Sequence, residues 1–199
     1  MGWIWSESAR TYSDSSTGDV ISKDDLASLQ TDFVGKMGDQ FRETATSLHG
    51  RGASPDEWET ALRPIVDRTQ AISYQLARGG SNAMTSDDWS TVSEQVKAQY
   101  DYLNAFAADA GTGQLTEEQA ADRAGMYADG ARGGYAQGLG SAWDISFPVD
   151  LPVHPNCNCS WQIENEDDGV KAYYIVEDPC PICAGYADQY NPYDPSQGD

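Results

Sequence analysis

Apolar residues recur every three or four positions through the first two thirds of the chain and every second position near its end. The first pattern predicts helices and the second predicts strands. Leu26, Leu29, Phe33, Met37, Phe41, Ala45 and Leu48 trace one helical face. Ser22 fits the N-cap, with Asp24 and Asp25 in the first turn, where the helix dipole favours acids. His49-Gly50-Arg51-Gly52 ends this helix on glycine, and His49 reads as a residue of its last turn rather than a catalyst.

Ser54-Pro55-Asp56-Glu57 starts a second helix, with Ser at the N-cap, Pro at the first position and Glu at the third. Its face is Trp58, Leu62, Ile65, Thr69, Ile72 and Leu76; Pro64 inside it should kink the helix by deleting one hydrogen bond, and Arg78-Gly79-Gly80 stops it. Thr85-Ser86-Asp87-Asp88 caps a third helix with the stripe Trp89, Val92, Val96, Tyr100, Leu103, Phe106 and Ala107. After the break at Gly111-Thr112-Gly113, the capping box Thr116-Glu117-Glu118-Gln119 opens a fourth helix. Its buried line is Ala120, Ala124, Tyr127, Ala131 and Tyr135. Gly125, Gly130, Gly133 and Gly134 each cost it about 1 kcal/mol relative to Ala, so this helix relies on neighbours.

From Phe147 to Pro155 the chain is punctuated by proline and reads as extended. Ser160-Trp161-Gln162-Ile163 and Val170–Val176 alternate as strands around a turn at Asp167-Asp168-Gly169, placing Tyr173 and Ile175 on the face opposite Tyr174 and Val176. Ala184-Gly185-Tyr186-Ala187 offers one helical turn. The fold class expected is mainly α: an antiparallel four-helix domain over 22–142, with a small cysteine-rich β-hairpin appendage, zinc-knuckle-like, over 147–190. An extended N-terminal arm over 1–21, carrying Trp3, Ile4 and Trp5, is expected to dock on a neighbour or on its own domain. Residues 191–199 form a tail.

Charge narrows the partners. The chain has 199 residues, with 32 acidic against 12 basic side chains and a formal net charge of −20. Nucleic-acid and anionic-membrane surfaces need clustered Lys and Arg, so neither is an expected partner. The acid excess is spread along the chain. It fits either an acidic protein kept apart from its copies by charge, or adaptation to high salt, where screening removes the self-repulsion. No apolar run approaches a membrane span, and the first residues lack the basic and apolar regions of a signal peptide.

All four cysteines lie near the end, as Cys157-Asn158-Cys159 and Cys180-Pro181-Ile182-Cys183. Two short cysteine turns carried on a hairpin suit a closed, structural four-thiolate zinc site, with Zn–S distances of about 2.3 Å. Cys157, Cys159, Cys180 and Cys183 are the candidate ligands, and His154 is a further ligand or a substitute for a sulfur of the tight C-x-C pair. Disulfides or uncoordinated thiols are the competing reading. A thioredoxin-type use of Cys180 and Cys183 lacks its βαβ context. There is no G-x-S-x-G elbow, no phosphate-binding glycine loop and no EF-hand spacing, and His49 and His154 are the whole histidine complement. No catalytic residue is assigned, and a hydrolase using His154 with a metal would need an open coordination position.

Arg78-Gly79-Gly80, Met84-Thr85-x-x-Asp88-Trp89, Gln99-Tyr100-x-Tyr102-Leu103-x-x-Phe106-Ala107, Gly113-x-Leu115-Thr116 and Arg123-x-x-Met126-Tyr127, in this order, resemble minor structural proteins of tailed viruses and prophages. Asn156-Cys157-Asn158-Cys159-Ser160-Trp161-x-Ile163, then Cys180-x-x-Cys183 and Tyr190-Asn191-Pro192, resemble the cysteine-bearing C-terminus of the same proteins. His154-Pro155-Asn156-Cys157-x-Cys159 is also similar to the end motif of the Mu-type head morphogenesis, or minor head protein, family. In that family a C-x-x-C commonly precedes this motif and Arg usually separates its last cysteines; here the C-x-x-C follows, and Asn158 stands between them. The resemblance covers roughly residues 75–193. It implies a virion component at the head or neck, in several copies, binding portal, major capsid or neck proteins and assembled in the host cytoplasm, without catalysis. A zinc-stabilised adaptor of a cellular, salt-loving host is the alternative.

Overall fold

The computed structural model describes residues 3–6, 11–148, 159–166, 169–176 and 181–195. The chain is mainly helical with two small antiparallel hairpins. Strands β1 (Trp3–Ser6) and β2 (Thr11–Asp14) come first, then α1 (Lys23–Gly50), α2 (Pro55–Arg78) and α3 (Ser86–Gly111). Next are α4 (Glu117–Gly125), α5 (Gly130–Trp143), β3 (Cys159–Glu166), β4 (Gly169–Val176) and α6 (Pro181–Tyr190).

The helix starts are where the capping residues put them. The Ser22 side chain accepts from the Asp25 amide. Ser54 with Glu57, Thr85 with Asp88, and Thr116 with Gln119 form reciprocal capping boxes. Each box satisfies two amides that the first helical turn leaves without intrahelical partners. Helix α2 runs unbroken through Pro64. It stops at Gly79, whose φ of 108° needs a residue without a β-carbon. Helix α1 instead ends on Arg51 at φ −102°, and the positive φ falls one residue later, at Gly52.

The main core lies between α1, α2, α3 and α4. Phe41, Trp58, Leu62, Leu103 and Phe106 are wholly buried there, and Trp58 meets Phe106 edge-on at 5.5 Å. Three expected core positions are not core: Leu29 is 42 % exposed, Ile72 37 % and Trp89 45 %. Each lies at the margin of a stripe, where a broad apolar face reaches past the neighbouring helix into solvent.

The expected fourth helix is two. The chain stays right-handed through Gly125, Met126 and Asp129, but tightens to a 3-10 turn over Met126–Ala128. That turn changes the helical phase. Helix α4 consequently packs on α1, and α5 packs on α2. Ala120, Ala124, Ala131 and Tyr135 are buried as expected, but against two different helices.

The arm is a hairpin rather than an extended segment, and it takes one of its two expected placements. Its described residues pair as a hairpin, with Trp5 opposite Tyr12, and it docks on its own domain. The Tyr12 hydroxyl donates to the Leu76 carbonyl at 2.7 Å. The Trp5 indole occupies the space a β-carbon at Gly79 would need. Two aromatic rings and the buried Ile21 give this short segment an apolar side that cannot stay in water.

Candidate functional site

The C-terminal appendage is built on the β3–β4 pair, in which Cys159 faces Val176, Trp161 faces Tyr174 and Ile163 faces Ala172. Trp161 and Tyr174 are buried, and Phe147 stacks on Trp161 at 4.8 Å. The segment after α6 returns along β4. Tyr193 exchanges two 2.8 Å backbone hydrogen bonds with Ala172. The Asn191 side chain mimics a strand, accepting from the Tyr174 amide at 2.6 Å and donating to its carbonyl at 2.7 Å. Lys171 closes the margin on Asp194 at 3.1 Å. Ala136 of α5 shares this small core, so the appendage packs on the helices.

Helix α6 covers ten residues, where one turn was expected. Tyr186 and Ala187 of this helix pack against the appendage core, and Tyr186 meets Tyr174 edge-on. That packing supplies stabilisation that helical propensity alone does not.

Helix α6 also brings Cys183 to the start of β3. The Cys159 and Cys183 Sγ atoms are 3.3 Å apart, and both residues are buried. His154, Cys157 and Cys180 lie outside the described residues. Among the described residues no three His, Cys, Asp or Glu side chains gather as a metal site. Two thiolates on a tetrahedral zinc at about 2.3 Å stand about 3.8 Å apart, so the observed separation needs only a small outward adjustment. The soft, buried donor pair thus fits zinc. Cys159, however, is disulfide-bonded in this structure, and Cys183 is not its partner. A disulfide sulfur cannot serve as a thiolate ligand, so the two chemistries compete for one sulfur cluster.

A second gathering of polar groups lies at the junction of α2, α3 and α5. Asp88 is 3 % exposed. Its Oδ1 accepts from the Tyr74 hydroxyl at 2.7 Å and the Ser141 hydroxyl at 2.5 Å. Its Oδ2 accepts from the Thr85 amide and hydroxyl, both at 2.8 Å, and lies 3.3 Å from Arg78 Nε. Burial alone would raise this carboxyl; the hydrogen bonds from Ser141, Thr85 and Tyr74 outweigh it and set the pKa at about 2. The same contact, with burial the larger cause, pushes the Tyr74 phenol up to about 12. Every lone pair that could act as a base is engaged, so this cluster ties three helices together. The sequence marked Thr85 and Asp88 as a cap; Tyr74 and Ser141 carried no signal, because they lie on other helices.

His49 behaves as a helix-end residue. Its Nε2 is 3.2 Å from the Leu115 carbonyl and its Nδ1 is 3.9 Å from Glu117, which holds the end of α1 to the start of α4. Among the described residues no helix is long and apolar enough to cross a membrane. Compared with known protein families, curated proteins and solved structures, the chain shows no significant match.

Proposed function

We propose that the chain is a structural minor capsid or head–neck protein of a tailed virus. In this reading α1, α2, α3 and the α4–α5 pair act as an antiparallel four-helix body. That body binds portal, major capsid or neck proteins through its exposed helical faces, where Trp89 and Tyr102 stand in solvent. The observation that carries the reading is the fate of the residues bearing the resemblance. Arg78, Thr85 and Asp88 close around one buried, fully engaged carboxylate, while Cys159 and Cys183 meet behind the hairpin. Residues spent on joining elements suit a scaffold better than a reactive cleft.

Detection of the chain in purified particles at a fixed copy number supports the assignment. Its confinement to the soluble fraction of producing cells would sink it.

The sulfur cluster braces the appendage around a structural zinc ion held by Cys159 and Cys183 with cysteines or His154 from the neighbouring segments. The disulfide at Cys159 favours a second reading, in which oxidised sulfurs supply the same brace. Metal analysis and intact mass of protein purified without reductant separate them. Zinc bound in proportion to the chain, with all thiols titratable after chelation, supports the metal. A metal-free protein two disulfides lighter supports the alternative.

A further inference from the structure

A cavity of about 510 Å³ opens between α1 and the α4–α5 corner. Four charged side chains line it: Arg42 from α1, Asp122 from α4, and Asp129 and Arg132 at the start of α5. Two glycines fix the first of these. A β-carbon at Gly38 would lie 3.2 Å from Arg42 Nη1, and one at Gly125 would lie 2.8 Å from Arg42 Nε. The guanidinium therefore lies close to bare backbone at both glycines. Asp39, in solvent, engages Nη1 at 3.3 Å. Arg132 Nε is buried with no hydrogen-bond partner among the described residues.

Asp129 is half-buried, and burial raises its carboxyl pKa against the lowering effect of Arg132 and Arg42. Yet among the described residues no ion pair joins either arginine to Asp129 or Asp122. On an exposed helix, Asp and Arg three residues apart would pair. Here the packing holds opposite charges around one space without direct pairing between them. That is preorganisation for a ligand that carries both signs. The volume falls in the range of small-molecule sites, about 300–1,000 Å³.

We propose that this cavity binds a small zwitterion, with its carboxylate on Arg132 and Arg42 and its ammonium on Asp129. A carboxylate accepts from the arginine guanidinium groups that line the cavity, and guanidinium–carboxylate pairing is directional enough to orient the molecule. The ammonium then replaces water lost around the Asp129 carboxyl. Asp122, at the exposed margin, adds attraction for the same end. A simple anion would meet repulsion from Asp129, and a simple amine would leave Arg132 unmatched.

The test is calorimetric titration of the full chain with γ-aminobutyrate, acetate and ethylamine. Saturable γ-aminobutyrate binding, roughly tenfold or more tighter than either half-ligand, is expected. Arg132→Met should weaken γ-aminobutyrate binding by at least about tenfold. Asp129→Asn should abolish the preference for γ-aminobutyrate over acetate. Thermal melts of both variants establish that they remain folded, and the wild-type comparison stands whether or not they do. Equal binding of acetate and γ-aminobutyrate would overturn the dipolar site, as would binding of ethylamine alone. Absence of saturation by about 50 mM ligand, or a folded Arg132→Met protein that binds unchanged, would also overturn it.

Discussion

Between α1, α2, α3 and α4 the interior is filled by large side chains, with Phe41, Trp58, Leu62, Leu103 and Phe106 interlocking out of solvent. Between α2 and α5, beside a smaller cluster of Ala77, Tyr135 and Leu139, runs a line of glycines. Gly130, Gly134 and Gly138 recur every fourth residue along α5 and face α2. A β-carbon at Gly138 would overlap the Tyr74 carbonyl oxygen and come within 2.9 Å of the Ala77 methyl. One at Gly130 would lie 2.7 Å from Gln70 Nε2. The first interface is held by volume and the second by close backbone approach. They should fail in opposite ways: the core by losing atoms, the seam by gaining one.

Removing the largest core side chain breaks the first interface. Trp58→Ala should cost about 4 kcal/mol, through lost transfer energy and an uncollapsed cavity, read as a lower urea midpoint. Adding a single methyl tests the second. Gly138→Ala should cost about 3 kcal/mol, although the same change in an exposed helix would stabilise by up to about 1 kcal/mol. A Gly138→Ala protein as stable as the parent would show that α5 can move away from α2 cheaply.

The Asp88 junction joins both interfaces through Tyr74, Thr85 and Ser141. Its carboxyl is lowered from the ordinary 3.8 to about 2. A lowered acid contributes stability that is complete above the unfolded value and is lost as pH falls through the folded one. That contribution is about 2 kcal/mol near neutrality. The stability gap between the parent and Asp88→Asn should therefore hold from pH 7 to about pH 5 and narrow steadily from about pH 4 to pH 2.

Two smaller glycine changes sharpen the contrast. Gly79→Ala combines a φ of 108° with the Trp5 ring and should cost about 1–2 kcal/mol while shifting tryptophan emission to the red, as the hairpin detaches. At Gly185 of α6 nothing lies within 4 Å of a built β-carbon. Gly185→Ala should therefore gain about 0.5–1 kcal/mol.

How far the sequence carried these interfaces follows from the same contrast. Volume-based packing leaves a periodic apolar trace, so Phe41, Trp58, Leu103 and Phe106 were legible as core. Backbone-based packing leaves none. Gln70 and Ser73 are buried beside Gly130 and Gly134 of α5, yet neither falls on the expected face, because hydrophobic periodicity cannot report a partner made of glycine. The break between α4 and α5 was hidden because Ala and Gly fit either side of a tightened turn. At the sulfur cluster, spacing indicated that Cys159 and Cys183 belong together; His154, Cys157 and Cys180 fall outside the described residues. The four-charge cavity was illegible, since Arg42 and Arg132 are far apart in sequence and look like ordinary surface residues until α1 packs on α4 and the turn that follows it.

The docking of Trp5 over Gly79 has a consequence for synthesis. Trp5 leaves the ribosome before its seat, which is made only after α1 and α2 have been translated. At about 5–20 residues per second that interval is about 4–15 seconds. Throughout it the nascent chain carries an uncovered tryptophan-bearing hairpin in a crowded polysome. The hairpin thus waits for a seat that a later helix supplies, and during that delay it is a target for chaperones.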